Sequence, residues 1–115
     1  MARFCRGALG ELGAEAVEPE ALAAIARNSS GVYQTLFDVQ HLVRGIDGHF
    51  DRAQYFQYPH LYRSSFARFL PRLHVLANCI YWEQRYPRLV TRDELRKLYR
   101  GKQRPKLQVI GDISC

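Results

Sequence analysis

Residues 73–81, LHVLANCIY, decide the fold predicted for this chain. The stretch is almost continuously apolar and has the length of a strand, a pattern typical of a parallel strand that is buried on both faces. We therefore predict a central strand here. Because open α/β sheets bind ligands beyond the carboxyl ends of their strands, the end of this stretch, from Asn78 to Tyr81, is a candidate binding site.

A capped helix and a second strand follow this central strand. Residues 91–94, TRDE, have the spacing of a capping box, in which a hydroxyl and a carboxylate each accept a hydrogen bond from a helix-start amide. Apolar residues at helical spacing continue the predicted helix to Gly101. Residues 107–110, LQVI, then begin a strand with Asp112 at its carboxyl end. The simplest arrangement of this strand, helix and strand is a right-handed β–α–β crossover.

The beginning of the chain shows the same alternation of helix and strand. Residues 6–12 have helical spacing that Gly13 ends, and residues 14–17, AEAV, form a short predicted strand that ends on Glu18. Pro19 suits the first position of a second helix. The predicted fold class is α/β, a partial Rossmann-like parallel sheet with flanking helices, incomplete at both ends.

The middle of the chain, residues 28–70, is predicted to be an irregular aromatic connection within one domain of residues 1–115. Residues 32–43 could form a strand and a helical turn, and residues 45–48 a loop. Residues 51–69 interleave tyrosine and phenylalanine with arginine, which superficially suits base stacking on single-stranded nucleic acid. The favoured interpretation is that the rings pack against the sheet, since large aromatic side chains bury well and arginine stems cover them.

The composition indicates a globular domain with a basic surface. Apolar residues make up 47% of the chain and charged residues 24%, values that argue against disorder. The net charge of +6 leaves a polyanion open as a partner. The arginines are scattered, however, and the densest basic stretch, residues 92–106, is interpreted as a solvated helix face with its exit loop. Nucleic acid is therefore not favoured.

Cysteine and histidine spacing indicates no metal site. The three cysteines are far apart and form no C-x-x-C pair, and the four histidines lack i, i+4 pairing. No apolar run approaches the roughly 20 residues of a membrane-spanning helix, and residues 1–13 lack the features of a secretory signal. We predict a soluble intracellular protein with reduced thiols and without a membrane span.

Glu18 is a second candidate for cofactor binding. A dinucleotide-binding fold places an acid at this strand end to accept hydrogen bonds from the adenosine ribose, although a strand-end glutamate is also a common exposed residue. An acid there would repel the 2′-phosphate of NADPH and so favours NADH. The glycine loop that should accompany it is incomplete, because residues 1–8, MARFCRGA, contain only a final Gly-Ala.

The most specific pattern in the chain is residues 78–98, NCIYWEQRYPRLVTRDELRKL, followed by residues 111–114, GDIS. Together they resemble the lysine-2-oxoglutarate reductase half of a bifunctional enzyme of lysine degradation, whose other half is a saccharopine dehydrogenase. More distantly, the chain is similar to monofunctional saccharopine dehydrogenases and to the nucleotide-binding domains of alanine dehydrogenase and transhydrogenase. Residues 17–22, VEPEAL, and the aromatic passage 50–62 fit the same reductase in order and spacing.

The resemblance implies an oxidoreductase of the saccharopine dehydrogenase type. Such an enzyme condenses L-lysine with 2-oxoglutarate and reduces the imine to saccharopine with NADH or NADPH, so the implied cofactor is NAD or NADP. The implied cofactor-binding residues are Arg3 and Phe4 at the pyrophosphate loop, Glu18 at the ribose, Asn78, Cys79 and Ile80 along the cofactor, and Asp112, Ile113 and Ser114 near the nicotinamide and substrate.

Departures from the family pattern limit what the resemblance implies. The lysine and histidine that transfer protons in the family belong to another domain, and no residue here matches them, so we expect no catalytic residue and no turnover by this chain alone. Ala2 replaces a fingerprint glycine and the chain stops at Cys115 where the family continues. We therefore expect a fragment of a longer enzyme, mitochondrial or cytoplasmic and able to form a homo-oligomer at full length. The alternative is a non-catalytic, truncated Rossmann-like binding module.

Overall fold

The computed structural model describes residues 2–26 and 29–113, with the side chains of residues 7–26 and 29–113. The chain divides into two compact units, Met1–Phe37 and Asp38–Cys115.

The described residues of the first unit form an α-helix, a 3₁₀ helix and a parallel strand pair. Helix α1, Ala2–Glu11, is followed by Gly13, whose φ of 88° lies in the left-handed region that glycine adopts without steric cost. Strands β1, Glu15–Ala16, and β2, Tyr33–Gln34, pair in parallel. Between them, Pro19–Ala24 forms a 3₁₀ helix with the proline at its start. The helix end at Gly13 and the strand within residues 14–17 are thus confirmed.

The second unit begins with a short capped helix, α2, Val39–Leu42. The Asp38 carboxylate accepts a hydrogen bond from the Val39 amide at 2.7 Å, and His41 Nδ1 accepts one from the Asp38 amide at 2.9 Å. The guanidinium of Arg52 also donates to the Asp38 carboxylate at 2.6 Å. Because these hydrogen bonds favour the charged form, the pKa of Asp38 lies below its ordinary value, the bond from the Val39 amide contributing most.

Residues 43–64 are more regular than the irregular connection expected from the sequence. Strand β3, Val43–Gly45, pairs antiparallel with β4, Tyr62–Ser64. Helix α3, Arg52–Gln57, lies between them and is capped by Asp51, whose carboxylate accepts a hydrogen bond from the Gln54 amide at 2.8 Å. Two 3₁₀ helices, Pro59–Leu61 and Phe66–Arg72, flank β4.

Aromatic side chains from this region fill much of the core of the second unit. The rings of Tyr55 and Tyr62 meet edge to face with centroids 5.3 Å apart, and those of Phe66 and Phe69 lie 5.8 Å apart. All four of these side chains are buried, whereas Phe56 and Tyr58 are exposed. This burial agrees with the interpretation that most of the rings pack rather than present faces for base stacking.

A parallel crossover forms the last part of the second unit. Strand β5, Val75–Asn78, pairs in parallel with β6, Val109–Asp112, and helix α4, Arg92–Arg100, connects them. The predicted strand–helix–strand order is confirmed. Its parallel pairing, with that of the first unit, is consistent with the predicted α/β class.

The prediction that β5 is buried on both faces is wrong. Within the described residues β5 pairs with β6 alone, and exposure alternates along it: Val75 is 63% exposed and Leu76 6%. Successive strand residues point to opposite faces, and in the described part of the chain only the face that carries Leu76 is covered. The apolar run therefore predicted the presence of the strand correctly but overestimated how much of the strand is buried.

The predicted capping box at the start of α4 is confirmed. Thr91 Oγ1 accepts from the Glu94 amide at 3.2 Å, and Glu94 Oε2 accepts from the Thr91 amide at 2.9 Å. Thr91→Ala leaves the Glu94 amide without its partner and is expected to lower the free energy of unfolding by about 1 kcal/mol. Urea denaturation measures the loss, and Thr91→Ser, which keeps the hydroxyl, is the matched control. Equal midpoints for Thr91→Ala and the unchanged chain would show that the cap contributes nothing.

Candidate functional site

A cavity of about 460 Å³ lies beside the β5–β6 pair and the start of α4. Leu76 and Asn78 of β5 line it, as do Ile110 and Asp112 of β6. Leu76 pairs across the ladder with Ile110, and Asn78 pairs with Asp112. Because successive side chains of a strand point to opposite faces, these four side chains lie on one face of the strand pair. The cavity therefore includes the carboxyl ends of two parallel strands, where α/β sheets commonly bind ligands.

The other walls of the cavity are mostly apolar and aromatic. They come from α2, β3, α3, the loop after β5 and the first turns of α4, and include Leu42, Val43, Tyr55, Trp82, Tyr86 and Leu95. A concave space of this size with predominantly apolar walls and a few polar groups has the general character of a small-molecule site.

An amide and a carboxylate are paired at the strand ends. Asn78 Nδ2 donates to Asp112 Oδ1 at 3.1 Å, and Asn78 Oδ1 accepts from the Ile80 amide at 3.3 Å. The ladder continues past the strands, because the Ile113 amide donates to the Asn78 carbonyl oxygen at 2.7 Å. These bonds fix the orientation of the polar groups that line the cavity.

The loop between β5 and α4 is held by stacked side chains. Trp82 Nε1 donates to the Tyr86 carbonyl oxygen at 3.2 Å, and the guanidinium of Arg88 lies over the Trp82 ring, 4.5 Å from its centroid. Arg85 lies 4.7 Å from the centroid of the Tyr86 ring and donates to Glu83 at 2.9 Å. Such cation–π contacts order a loop that has no regular backbone pairing of its own.

Two tyrosines that line the cavity have raised pKa values. The Tyr81 hydroxyl donates to Glu83 Oε1 at 2.9 Å, and this bond to a carboxylate raises the pKa of Tyr81. Burial, with a smaller effect of Tyr86, raises the pKa of Tyr55. Since an unperturbed phenol already titrates near pH 10, both side chains are neutral at pH 7 and add no negative charge to the cavity.

The structure brings part of the predicted site together. Asn78, Ile80 and Asp112 all line the cavity. Cys79 is a half-buried free thiol, and Ile113, directly after β6, is half exposed. The prediction for Ser114 lies outside the described residues.

The remaining predicted residues belong to the first unit. Glu18 is exposed directly before the 3₁₀ helix and its side chain makes no capping bond. Arg3 and Phe4 lie in the first turn of α1 and not in the loop that the family pattern implied. Ala2, which begins α1 where that pattern has a glycine, is a strong helix former and favours this earlier start. The cofactor roles of these residues stay predictions.

Sequence reasoning missed several residues that the structure places at the cavity. Arg92 was interpreted as part of a solvated face, yet it lines the cavity together with Trp82 and Arg88. The capping box could have located Arg92 at the start of a helix that follows the candidate strand end. Nothing in the local pattern indicates that Arg88 stacks on Trp82.

The described residues contain neither a cluster that could hold a metal ion nor a helix that could span a membrane. Within residues 2–26 and 29–113, no three His, Cys, Asp or Glu side chains are grouped so as to hold a metal ion. Over the same residues, no helix has both the length and the apolar character needed to cross a membrane.

The crossover and its cavity define an α/β chain with a concave space at the carboxyl ends of parallel strands. No family model matches the sequence. The chain is 39% identical over 105 residues to the mitochondrial alpha-aminoadipic semialdehyde synthase of Bos taurus, a match that covers 88% of this chain and 11% of that protein. With the synthase of Rattus norvegicus it is 41% identical over 92 residues, covering 76% of this chain and 10% of the relative.

A plant protein gives a similar match. The alpha-aminoadipic semialdehyde synthase of Arabidopsis thaliana is 36% identical over 87 residues, which cover 73% of this chain and 8% of that synthase. The chain is thus related in sequence to the alpha-aminoadipic semialdehyde synthases, and it spans about a tenth of the length of these curated relatives. The resemblance found in the sequence is confirmed as far as the alpha-aminoadipic semialdehyde synthases, and the assignment to a lysine-2-oxoglutarate reductase half stays a prediction.

Proposed function

We propose that this chain is the nicotinamide-nucleotide-binding segment, of Rossmann-like type, of a lysine-2-oxoglutarate reductase. The observation that carries the proposal is the cavity at the carboxyl ends of β5 and β6, lined by Asn78 and Asp112. The relationship to synthases supports it, since these proteins are named for a product of lysine breakdown. The mammalian relatives are named mitochondrial, which supports the same compartment for the proposed enzyme.

The residues present fit one half of a dinucleotide. A volume of about 460 Å³ lies within the range of small-molecule pockets, and aromatic walls suit a flat ring. Asn78 supplies an amide and Asp112 a carboxylate, so the strand ends offer both donors and acceptors to a ribose or a carboxamide. Their mutual hydrogen bond pre-orients both groups before a ligand arrives.

The proposed reaction joins two substrates before reduction. The ε-amino group of L-lysine and the ketone of 2-oxoglutarate lose water to form an imine, and a hydride at carbon with a proton at nitrogen gives saccharopine. The nicotinamide cofactor, when bound, supplies the hydride. The residues proposed to position it are Asn78, Cys79, Ile80, Asp112, Ile113 and Ser114, with Glu18 at the ribose and Arg3 and Phe4 at the pyrophosphate.

The part of this chain in the reaction is binding and orientation. The apolar walls around Leu76 and Ile110 would exclude water from the reacting ring, and the paired polar groups would fix its face. No lysine or histidine of this chain matches the family's proton-transferring residues, so proton transfer is assigned to another domain of a full-length enzyme.

Calorimetric titration with NADH and with NADPH tests the proposal on the purified chain. We expect saturable binding of at least one of the two and no oxidation of either in the presence of L-lysine and 2-oxoglutarate. Absence of heat and of nicotinamide fluorescence change with both cofactors would overturn the binding role. Substrate-dependent oxidation by the isolated chain would overturn the restriction to binding.

A non-catalytic module that pairs with a longer subunit is a second candidate. It is favoured by the apolar face opposite the cavity, where Val75 is 63% and Val109 53% exposed. Exposed apolar surface of this kind is typical of association sites. Co-purification of the tagged chain with a full-length alpha-aminoadipic semialdehyde synthase would support the pairing, and separate elution of the two proteins would reject it.

A further inference from the structure

Two arginines that line the cavity differ from their charged neighbours. Arg85 is paired with Glu83, and Arg96 with Asp93. Among the described residues, Arg88 and Arg92 form no such ion pair, although both line the cavity. Their charges are therefore available to a ligand.

The stacking of Arg88 leaves its hydrogen-bonding groups accessible. The guanidinium carbon lies over the Trp82 ring, 4.5 Å from the centroid, and no described residue accepts a hydrogen bond from Arg88. The five N–H donors of a guanidinium lie in its plane and match the geometry of carboxylate and phosphate oxygens. Trp82 thus orients Arg88 without occupying its donors.

The charge balance of the cavity favours an anion. The described residues that line the cavity include two arginines and a single acid, Asp112. Asp112 already accepts a hydrogen bond from Asn78. Arg92 is also the first residue of α4, where the helix dipole adds a partial positive charge. The remaining walls are largely apolar, which strengthens electrostatic attraction by lowering the local dielectric.

We propose that Arg88 and Arg92 form an oxyanion-binding pair that recognises a phosphate or a carboxylate carried by a flat or apolar ligand body. This inference rests on the proposed function, under which the oxyanion is either a phosphate of the nicotinamide nucleotide or a carboxylate of the 2-oxo acid. The two sources share one chemistry: a planar, bidentate guanidinium contact to two oxygens, supported by a second positive charge.

Matched probes separate the two sources. Reduced nicotinamide mononucleotide and its phosphate-free riboside differ only in the phosphate, and 2-oxoglutarate supplies carboxylates without a ring. Each is titrated calorimetrically into the full 115-residue chain and into Arg88→Gln, Arg92→Gln and Arg100→Gln. Arg100→Gln removes the same charge from the last residue of α4, outside the cavity lining, and is the control.

We expect Arg88→Gln and Arg92→Gln each to weaken binding of the anionic probe by about 5- to 10-fold. This is the effect of losing one charge-assisted hydrogen bond at a partly exposed site. The riboside should be unaffected, and Arg100→Gln should stay within about twofold of the unchanged chain. Arg88→Lys, which keeps the charge and loses the planar fork, should fall between. Since Arg88 and Arg92 are exposed, all variants should fold, and circular dichroism checks this.

The outcomes distinguish this inference from the proposed function. Arginine-dependent binding of the mononucleotide assigns the pair to a phosphate, and arginine-dependent binding of 2-oxoglutarate alone assigns it to a carboxylate; both support the inference. NADH binding that is equal in the unchanged chain and in every variant, together with no arginine-dependent binding of 2-oxoglutarate, would overturn the inference and leave the proposed function intact. Arginine-dependent binding of 2-oxoglutarate without any binding of NADH or NADPH would support the pair and overturn the proposed function. If neither anionic probe binds, the inference is wrong.

Discussion

Phe66→Ala is expected to lower the free energy of unfolding by about 3–5 kcal/mol, the largest effect of any single truncation considered. The Phe66 side chain is 1% exposed and its ring lies 5.8 Å from that of Phe69. Truncation removes apolar surface that was buried and leaves a space that the surrounding aromatic side chains cannot fill without changing their rotamers. Equilibrium urea denaturation, followed by tyrosine and tryptophan fluorescence, measures the change.

Tyr58→Ala is the control for this truncation. Tyr58 belongs to the same aromatic region but is 46% exposed, so its loss should cost less than about 1 kcal/mol. A Phe66→Ala protein that unfolds within about 1 kcal/mol of the unchanged chain would contradict the assignment of Phe66 to the core.

Under the proposed function, Ile110→Trp is expected to weaken NADH or NADPH binding at least about 10-fold, or about 1.4 kcal/mol. Ile110 lines the cavity from β6, and an indole at that position would occupy space that the ligand needs. Fluorescence titration with the reduced cofactor measures the affinity, and thermal unfolding shows whether the fold has been retained.

Val109→Trp provides a matched control on the same strand. Val109 directly precedes Ile110 in β6, so its side chain points to the opposite face of the strand. It does not line the cavity and is 53% exposed. This variant should bind the cofactor as the unchanged chain does. Equal weakening by both substitutions would indicate a general effect on β6, and equal affinity in both would place the cofactor elsewhere.

Local sequence patterns predicted the elements that depend on neighbouring residues. The capping box at Thr91 was found because its two hydrogen bonds join residues only three positions apart. The helix end at Gly13 could be predicted because glycine adopts a positive φ readily. The helix start at Pro19 could be predicted because proline has a fixed φ that suits a first helical position. Alternation of these elements was sufficient to predict the parallel crossover.

Longer-range packing could not be predicted from the same patterns. The Asn78–Asp112 bond joins residues 34 positions apart, and the sequence placed each residue at a strand end without indicating that the two side chains pair. The cavity wall formed by Leu42 and Val43 comes from a different part of the chain, with no local pattern that assigns it to β5. Burial of β5 was overestimated for the related reason that an apolar run does not state which elements will cover it. Arg88 was missed because its stacking on Trp82 depends on the path of an irregular loop.

The alternation of side-chain direction along β5 and β6 separates two properties of the chain. Val75 and Val109 expose apolar side chains on one face, while their neighbours Leu76 and Ile110 line the cavity on the other. Exposed β-branched residues on a short two-stranded sheet promote aggregation, whereas the cavity residues govern what the sheet can hold. Alternating residues of the same two strands therefore determine solubility and ligand binding separately. Substituting the exposed valines, for example by threonine, would make the uncovered face polar and leave the cavity unchanged.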